Sequence, residues 1–181
     1  DYTAVYALTE PEKKAKGLSC FVVKKGTPGF SVGKIEDKMG IRSAQVSEMI
    51  LENVRVPKEN MIVESGQGFK LAMKTLDGGR IGVAAQGLGI AEGAFEIAKE
   101  YLKTREQFGR PIAAFQNTKF TLADMKTRVE AARYLVYSAA CAKDNGEPYS
   151  DKAAMAKLFA SETAREVTWR AVQLFLSLIH I

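Results

Sequence analysis

The 181-residue sequence has little histidine and cysteine, which excludes several classes of site. Its one histidine, His180, is the penultimate residue, so Ser-His-Asp, Cys-His and polyhistidine metal sites are nearly excluded. Cys20 and Cys141 each lie in an apolar run without zinc-ligand spacing, and we expect two reduced core thiols and no bound metal. No apolar run approaches membrane-spanning length, so we expect neither a membrane span nor a signal peptide.

Charge of one sign is not concentrated anywhere in the sequence. There are 26 basic and 21 acidic residues, for a formal net charge of +5, and acidic residues interleave with basic ones through 120–170. This favours a solvated surface over a nucleic-acid-binding face, although the small excess also suits an anionic ligand such as a nucleotide. With 46% hydrophobic residues, the composition is that of a globular protein with one domain or two small ones.

The first part of the chain has the pattern of β-strands. Segments rich in β-branched and aromatic residues at 3–9, 18–25 and 47–56 are separated by breakers such as Glu10-Pro11. Short strands at this spacing predict a barrel or sandwich, or part of one.

After Pro57 the apolar period changes to that of helices. One apolar stripe predicts a long helix at 68–103, whose interior, beyond Gly68, contains six glycines that call for close helix packing or room for a ligand. A second helix ends at Asn145-Gly146, and a third is predicted to begin with Ser150 as its N-cap. Three long amphipathic helices with short links predict an antiparallel bundle, and the sequence offers no fourth helix to close it. The stripes comprise Ala84, Leu88, Ala91, Phe95, Ala98 and Leu102; Leu122, Met125, Val129, Ala132, Val136 and Ala139; and Ala153, Ala156, Ala160, Ala164, Val167, Ala171 and Leu174.

Two segments carry residue types suited to ligand binding. "KTREQFGRPIAAFQ" (103–116) combines arginines, which grip phosphate with paired hydrogen bonds, with Phe108, which can stack on a planar ring. It could hold a dinucleotide, or it could be an interhelix turn with exposed arginines. In "LDGGR", Asp77 and Arg80 stand three apart and could either pair with each other or serve a ligand, and Gly78-Gly79 would let that ligand cross the helix.

Three separated segments, in order, resemble the acyl-CoA dehydrogenase family, and the similarity runs from Asp1 to about Phe175. The resemblance implies an α+β multidomain fold, with a partial middle β-barrel or sandwich domain at 1–60 and an incomplete antiparallel four-helix bundle at 61–175. Residues 176–181 resemble nothing in the family. "LDGGR" and "REQFGRPI" are most similar to the short-chain, butyryl-CoA branch. The three segments are "EDKMGIRSAQVSEMILENVRVPKENMI", "TLDGGRIGVAAQGLGIAEGAFEIAKEYLKTREQFGRPIAAFQ" and "AMAKLFASETAREVTWRAVQLF".

The family resemblance also implies an activity. Members bind FAD, oxidise an acyl-CoA thioester to the trans-2-enoyl-CoA and pass electrons to electron-transferring flavoprotein. Most are homotetramers built as paired dimers, and they lie in the bacterial cytoplasm or the mitochondrial matrix.

The resemblance assigns roles to individual positions. Arg105 resembles the arginine that grips the FAD pyrophosphate of the neighbouring subunit, and Phe108 the aromatic residue beside that cofactor's adenosine half. Gln116 and Gln173 match cofactor-contacting glutamines, so the connector would be half of a cofactor site that dimerisation completes. The substrate thioester contacts would be Asp77, Gly78, Gly79 and Arg80.

The sequence also departs from the family pattern. The expected Gly-Gly, helix and catalytic glutamate do not follow Phe175, and we interpret the last residues as the product of a frame change or of a sequence-assembly artefact. Gly79 occupies the position where other branches place the base, and Asp77 is a poor substitute because of its shorter arm and its pairing. We therefore expect a fragment without a catalytic base or N-terminal domain, which binds FAD poorly, is inactive alone and exposes apolar stripes.

Three other interpretations stay open beside the dehydrogenase. A flavin-linked acyl-CoA oxidase would share the FAD and CoA contacts but pass electrons to oxygen. A non-catalytic helical module for cofactor binding or interaction would need no base. A nucleic-acid binder would need a clustered cationic face.

Overall fold

A computed structural model describes residues 2–176 of the chain, which divides into two compact units, Asp1–Lys74 and Thr75–Ile181. The frame-change interpretation of the tail concerns residues that, apart from Leu176, lie outside the described part. The domain boundary at residue 60 remains a prediction.

The first unit opens with an antiparallel strand pair. Strand β1 (Tyr2–Leu8) pairs with β2 (Leu18–Lys24) without a register shift. Burial alternates along β1, as expected for side chains that point to opposite faces. A 3₁₀ segment at Pro11–Gly17 connects the two strands, and both strands confirm the sequence prediction.

A second strand pair differs from the prediction. Strand β3 (Phe30–Ile35) was missed, and it pairs antiparallel with β4 (Ser47–Leu51) around an irregularity between Val32 and Ile35. The predicted strand at 47–56 was too long. It ends at Leu51 because Asn53 has a left-handed backbone, with φ of 53°, which an extended strand does not admit.

Three long helices follow, as predicted: α1 (Gly68–Thr104), α2 (Gln116–Asp144) and α3 (Ser150–Leu174). Apolar residues from all three helices form one core in the second unit, so the predicted helical bundle is confirmed in the described residues. The core is built mainly from alanine, which allows the helix backbones to approach closely. No helix within residues 2–176 combines the length and the apolar character of a membrane span.

Ser150 does not cap α3, contrary to the prediction. The N-cap is Tyr149, with no side-chain capping hydrogen bond, and Ser150 is the first helical residue. The Ser150 hydroxyl instead donates a hydrogen bond to Asp77 on α1. A tertiary partner for the hydroxyl has therefore displaced the local capping interaction.

The two cysteines differ, although both were predicted to be buried. Cys20 is buried in β2, as predicted, whereas Cys141 is exposed on α2. Ala139 and Ala142 take the neighbouring core positions of α2, so the helical period turns residue 141 outwards.

A second face of α1 is apolar and exposed. Leu76, Val83, Ile90 and Ile97 are each at least half exposed, and their seven-residue spacing places them on one side of the helix. This confirms the expectation of exposed apolar stripes on the bundle.

The glycines of α1 differ in whether neighbouring atoms leave room for a side chain. A Cβ on Gly87 would lie 3.2 Å from the backbone oxygen of Ala160, so this glycine permits close contact between α1 and α3. At other positions a Cβ would meet nothing within 4 Å, and close packing therefore does not explain them: Gly79, Gly82, Gly89 and Gly93.

Candidate functional site

The segment between α1 and α2 forms a small β-hairpin. Strands β5 (Glu106–Gln107) and β6 (Arg110–Pro111) pair antiparallel, leaving a two-residue loop. The backbone N–H of Ile112 donates to the Arg105 carbonyl over 2.8 Å and closes the base of the hairpin. The segment that connects α1 to α2 is thus a hydrogen-bonded β-hairpin and not an irregular turn.

The two residues at the tip of this hairpin, Phe108 and Gly109, are an unusual pair for the turn that they form. Phe108 and Gly109 both have positive φ, of 54° and 77°, which is the signature of a type I′ turn. Such turns favour Asn-Gly or Asp-Gly, and a bulky residue at positive φ costs about 1–3 kcal/mol. Phe108 is also 93% exposed, so burial of its ring within this chain does not offset that cost.

Two further side chains pack beside the tip. The Phe108 ring meets the Phe115 ring edge-on, with centroids 6.3 Å apart and an interplanar angle of 81°. The Arg110 guanidinium lies over the Phe115 ring, 4.0 Å from its centroid. Phe115 directly precedes α2, so this stack ties the hairpin to the start of the helix.

Arg105 stands at the base of the hairpin and is exposed. Its side chain makes no ion pair with any residue from 2 to 176. A guanidinium that is exposed and not neutralised can accept an external phosphate through paired hydrogen bonds.

The predicted glutamines lie at the same end of the bundle as the hairpin. Gln116 is the first residue of α2, and Gln173 lies in the last turn of α3, which runs antiparallel to α2. The ring of Tyr101 stacks on Phe175 at 4.4 Å, which brings the end of α1 to the same place. A groove of about 320 Å³ opens there, lined by Asn117, Thr121, Trp169, Arg170, Gln173 and Leu174.

The cation in this groove is already neutralised. Arg170 donates hydrogen bonds to Asp124 on α2 and to Glu166 on its own helix. Between Arg105 and Arg170, Arg105 is therefore the better candidate for binding an anion.

The LDGGR segment lies near the beginning of α1. Arg80 donates to one carboxylate oxygen of Asp77, and Ser150 donates to the other over 2.6 Å, which confirms the suspected pairing of Asp77 with Arg80. A Cβ on Gly78 would lie 3.4 Å from the Lys143 amine, whereas the same position on Gly79 is open. Both oxygens of Asp77 thus have partners inside the chain.

The two candidate clusters are far apart along α1. At roughly 1.5 Å of rise per residue, Arg80 and Arg105 are separated by about 37 Å along the helix axis. The structure brings together Arg105, Phe108, Gln116 and Gln173 at one end of the bundle, and Asp77, Gly78, Gly79 and Arg80 near the other. It does not bring the two groups together within one chain.

Sequence reasoning missed several neighbours of these clusters. Phe115 was not singled out, although an aromatic residue directly before Gln116 was a readable signal. Lys143, at the end of α2, and Ser150, at the start of α3, reach LDGGR because these helix ends pack against α1. No local sequence pattern predicts such contacts.

Comparison with known families decides where this fold belongs. The profile of the "Acyl-CoA dehydrogenase, C-terminal domain" family matches residues 66–175, and that of the "Acyl-CoA dehydrogenase, middle domain" matches residues 1–54. The chain belongs to the acyl-CoA dehydrogenase family. The family and fold class that the sequence motifs predicted are therefore confirmed.

Individual relatives agree with this assignment. The chain is 55% identical over 175 residues to "Acyl-CoA dehydrogenase, short-chain specific" of Megasphaera elsdenii, covering 97% of this chain and 46% of that protein. The solved structure of butyryl-CoA dehydrogenase from Megasphaera elsdenii is 54% identical, with a TM-score of 0.95, covering 98% of this chain and 46% of that one.

A second solved structure is described as "Electron transferring flavoprotein of Acidaminococcus fermentans: Towards a mechanism of flavin-based electron bifurcation". One of its chains is 56% identical, with a TM-score of 0.96, and the match covers 100% of this chain and 48% of that chain. This chain therefore spans about half the length of the proteins it matches.

Proposed function

We propose that this chain contributes to the FAD-dependent α,β-dehydrogenation of a short-chain acyl-CoA to the trans-2-enoyl-CoA, with electrons passed to electron-transferring flavoprotein. The observation that carries the proposal is the grouping of Arg105, Phe108, Gln116 and Gln173 at one end of the bundle. The short-chain preference and the protein acceptor are supported by the names of the relatives.

The residues at that end fit the parts of FAD. The exposed guanidinium of Arg105 suits the pyrophosphate, because two parallel N–H groups match its oxygens. The exposed ring of Phe108 offers a face to the adenine, and the amides of Gln116 and Gln173 can hydrogen-bond the remaining polar groups. When bound, FAD would supply the acceptor for the hydride that leaves the substrate's β carbon, and the α proton would pass to a base other than Asp77, whose carboxylate oxygens are held by Arg80 and Ser150.

The other cluster suits the thioester substrate. Gly79 leaves open space beside the helix backbone, where an acyl-CoA chain can pass closely. Arg80 supplies a cation whose position is fixed by Asp77, and Asp77 is itself held by Ser150. In this arrangement Asp77 orients Arg80, and Arg80 meets the polar part of the CoA.

The separation of the clusters supports assembly into dimers, and we propose that these dimers pair into a homotetramer. Because about 37 Å separates Arg80 from Arg105 along α1, the cofactor residues of one subunit can serve the active site of its neighbour. The proposed compartment is the bacterial cytoplasm or, in a eukaryote, the mitochondrial matrix.

The test uses a grafted enzyme, in which residues 1–175 of this chain replace the matching segment of the Megasphaera elsdenii relative. We expect the purified grafted enzyme to contain FAD, to lose flavin absorbance on anaerobic addition of butyryl-CoA, and to reduce electron-transferring flavoprotein. Changing Arg105→Lys keeps the charge but removes the fork, and should weaken FAD binding about tenfold.

The control variant is Arg165→Lys, an exposed arginine of α3 that pairs with Glu162, which should leave FAD affinity unchanged. Equal FAD affinity in the Arg105→Lys variant would contradict the assigned cofactor contact. FAD uptake without flavin reduction by butyryl-CoA would favour a non-catalytic module, and rapid oxygen consumption would favour an oxidase.

A further inference from the structure

The hairpin tip carries a conformation that its own sequence disfavours. Phe108 lies at positive φ in a turn that Asn or Asp would occupy more comfortably, and its ring projects into solvent. Strain of this kind persists where surrounding groups hold the residue in place. The neighbouring groups that touch the ring are therefore of interest in themselves.

Phe115 supplies the contact to the Phe108 ring. Its edge-on geometry with Phe108 limits where that ring can lie. Phe115 is only partly exposed and sits where the backbone enters α2, so its own position is tied to the long helix.

Arg110 completes the arrangement from the other side of the loop. Its backbone pairs with Gln107 in the hairpin, and its guanidinium lies over the Phe115 ring at 4.0 Å. Among residues 2–176 it forms no ion pair, so the ring of Phe115 is its main side-chain partner. The stack Arg110–Phe115 thus links the second hairpin strand to the helix start.

We propose that Phe115, itself held by the stacked Arg110, is a positioning residue that keeps Phe108 in its exposed, strained conformation and so prepares it to stack on the adenine half of FAD. This inference rests on the proposed function, because it takes FAD as the ligand. A ring that is already ordered loses less conformational entropy on binding than one on a free loop, and so binds more tightly. Neither residue needs to touch the cofactor.

The first measurement establishes the role of Phe108 itself. Phe108→Asn keeps a favoured type I′ turn while removing the ring, so the hairpin should survive and the urea midpoint of the grafted enzyme should not fall. FAD affinity should fall about tenfold, as expected for loss of one base-stacking contact. An unchanged FAD affinity would overturn the proposed cofactor contact of Phe108, and with it the positioning role.

The second measurement isolates positioning with a double-mutant cycle. Phe115→Leu in the grafted enzyme should weaken FAD binding about threefold to fivefold, because Phe108 is no longer held. The same change made in the Phe108→Asn background should have no further effect. A merely structural role would weaken FAD binding equally in both backgrounds, and that result would overturn the proposal while leaving the proposed function intact.

The conservative variant and a flavin-free structure complete the test. Phe115→Tyr keeps the ring and should retain full FAD affinity. A crystal structure of the Phe115→Leu grafted enzyme without FAD should show Phe108 moved from its positive φ. Phe108 unmoved in that structure would overturn the positioning role, whether or not FAD binds.

Discussion

Ser150 and Asp77 are joined by a hydrogen bond of 2.6 Å that connects the first residue of α3 to the LDGGR segment of α1. Because Asp77 also accepts from Arg80, the hydroxyl of Ser150 helps to fix the cation of the proposed substrate cluster. The Ser150 hydroxyl, which the sequence predicted to cap α3, instead connects α3 to α1.

Ser150→Ala should lower the free energy of unfolding by about 1 kcal/mol, because one carboxylate oxygen of Asp77 loses its donor. Ser161→Ala is the matched control on the same helix, since within residues 2–176 the Ser161 hydroxyl donates to the Leu158 carbonyl of its own turn and to no other helix. Urea unfolding measures both variants. Equal small effects for the two serines would show that the hydrogen bond to Asp77 adds nothing.

Gly87→Ala should destabilise the bundle by about 1–2 kcal/mol, because the added methyl group would press on the Ala160 backbone. Gly89→Ala gains the same helix propensity in open space and should stabilise by up to about 1 kcal/mol. The two changes share the same chemistry, so the difference between their urea midpoints reports the contact between α1 and α3. Two stabilising changes would contradict the close approach at Gly87.

Thr163→Val should stabilise the protein by about 1 kcal/mol. The Thr163 hydroxyl is buried in the described core without a hydrogen-bond partner, and valine has the same shape without the polar group. Thr168→Val provides the contrast, since the Thr168 hydroxyl donates to the Ala164 carbonyl over 2.7 Å and its removal should not stabilise. A lower unfolding temperature for Thr163→Val would reveal a partner for the hydroxyl.

Acidification should remove the stabilising contribution of Glu130. The hydrogen bond from Lys126, with a second from Arg133, lowers the pKa of the Glu130 carboxyl below its ordinary value of 4.5. A lowered pKa in the folded state means that this contribution is fully present above pH 4.5 and is lost as the pH falls through the folded-state pKa. Thermal unfolding should therefore distinguish wild type from Glu130→Gln at pH 7, and the difference should shrink below pH 4.5. A difference that stays constant down to pH 3 would contradict the prediction.

Much of the fold was readable from local patterns. The 3.6-residue period located all three helices, and the buried hydrophobic side chains of α1 are those of its predicted stripe. The predictions were wrong where they did not use the helical period or where a turn ended an element early. Cys141 was judged by its apolar neighbours rather than by its helical phase, and the strand predicted to reach residue 56 ends before the left-handed Asn53.

The sequence by itself determined the helices, the first strand pair and the family, because periodic burial and contiguous motifs are properties of short stretches of chain. Only the tertiary structure decided that Ser150 bonds Asp77, that Phe115 contacts Phe108 while Arg110 lies over Phe115, and that Gln173 of α3 lies at the same end of the bundle as Gln116. The Ser150–Asp77 contact joins residues 73 positions apart in the chain, whereas the hairpin contacts depend on a left-handed turn at Phe108 that local propensity disfavours. Side-chain partners of this kind are fixed by how the elements pack, and no single stretch of sequence contains that information.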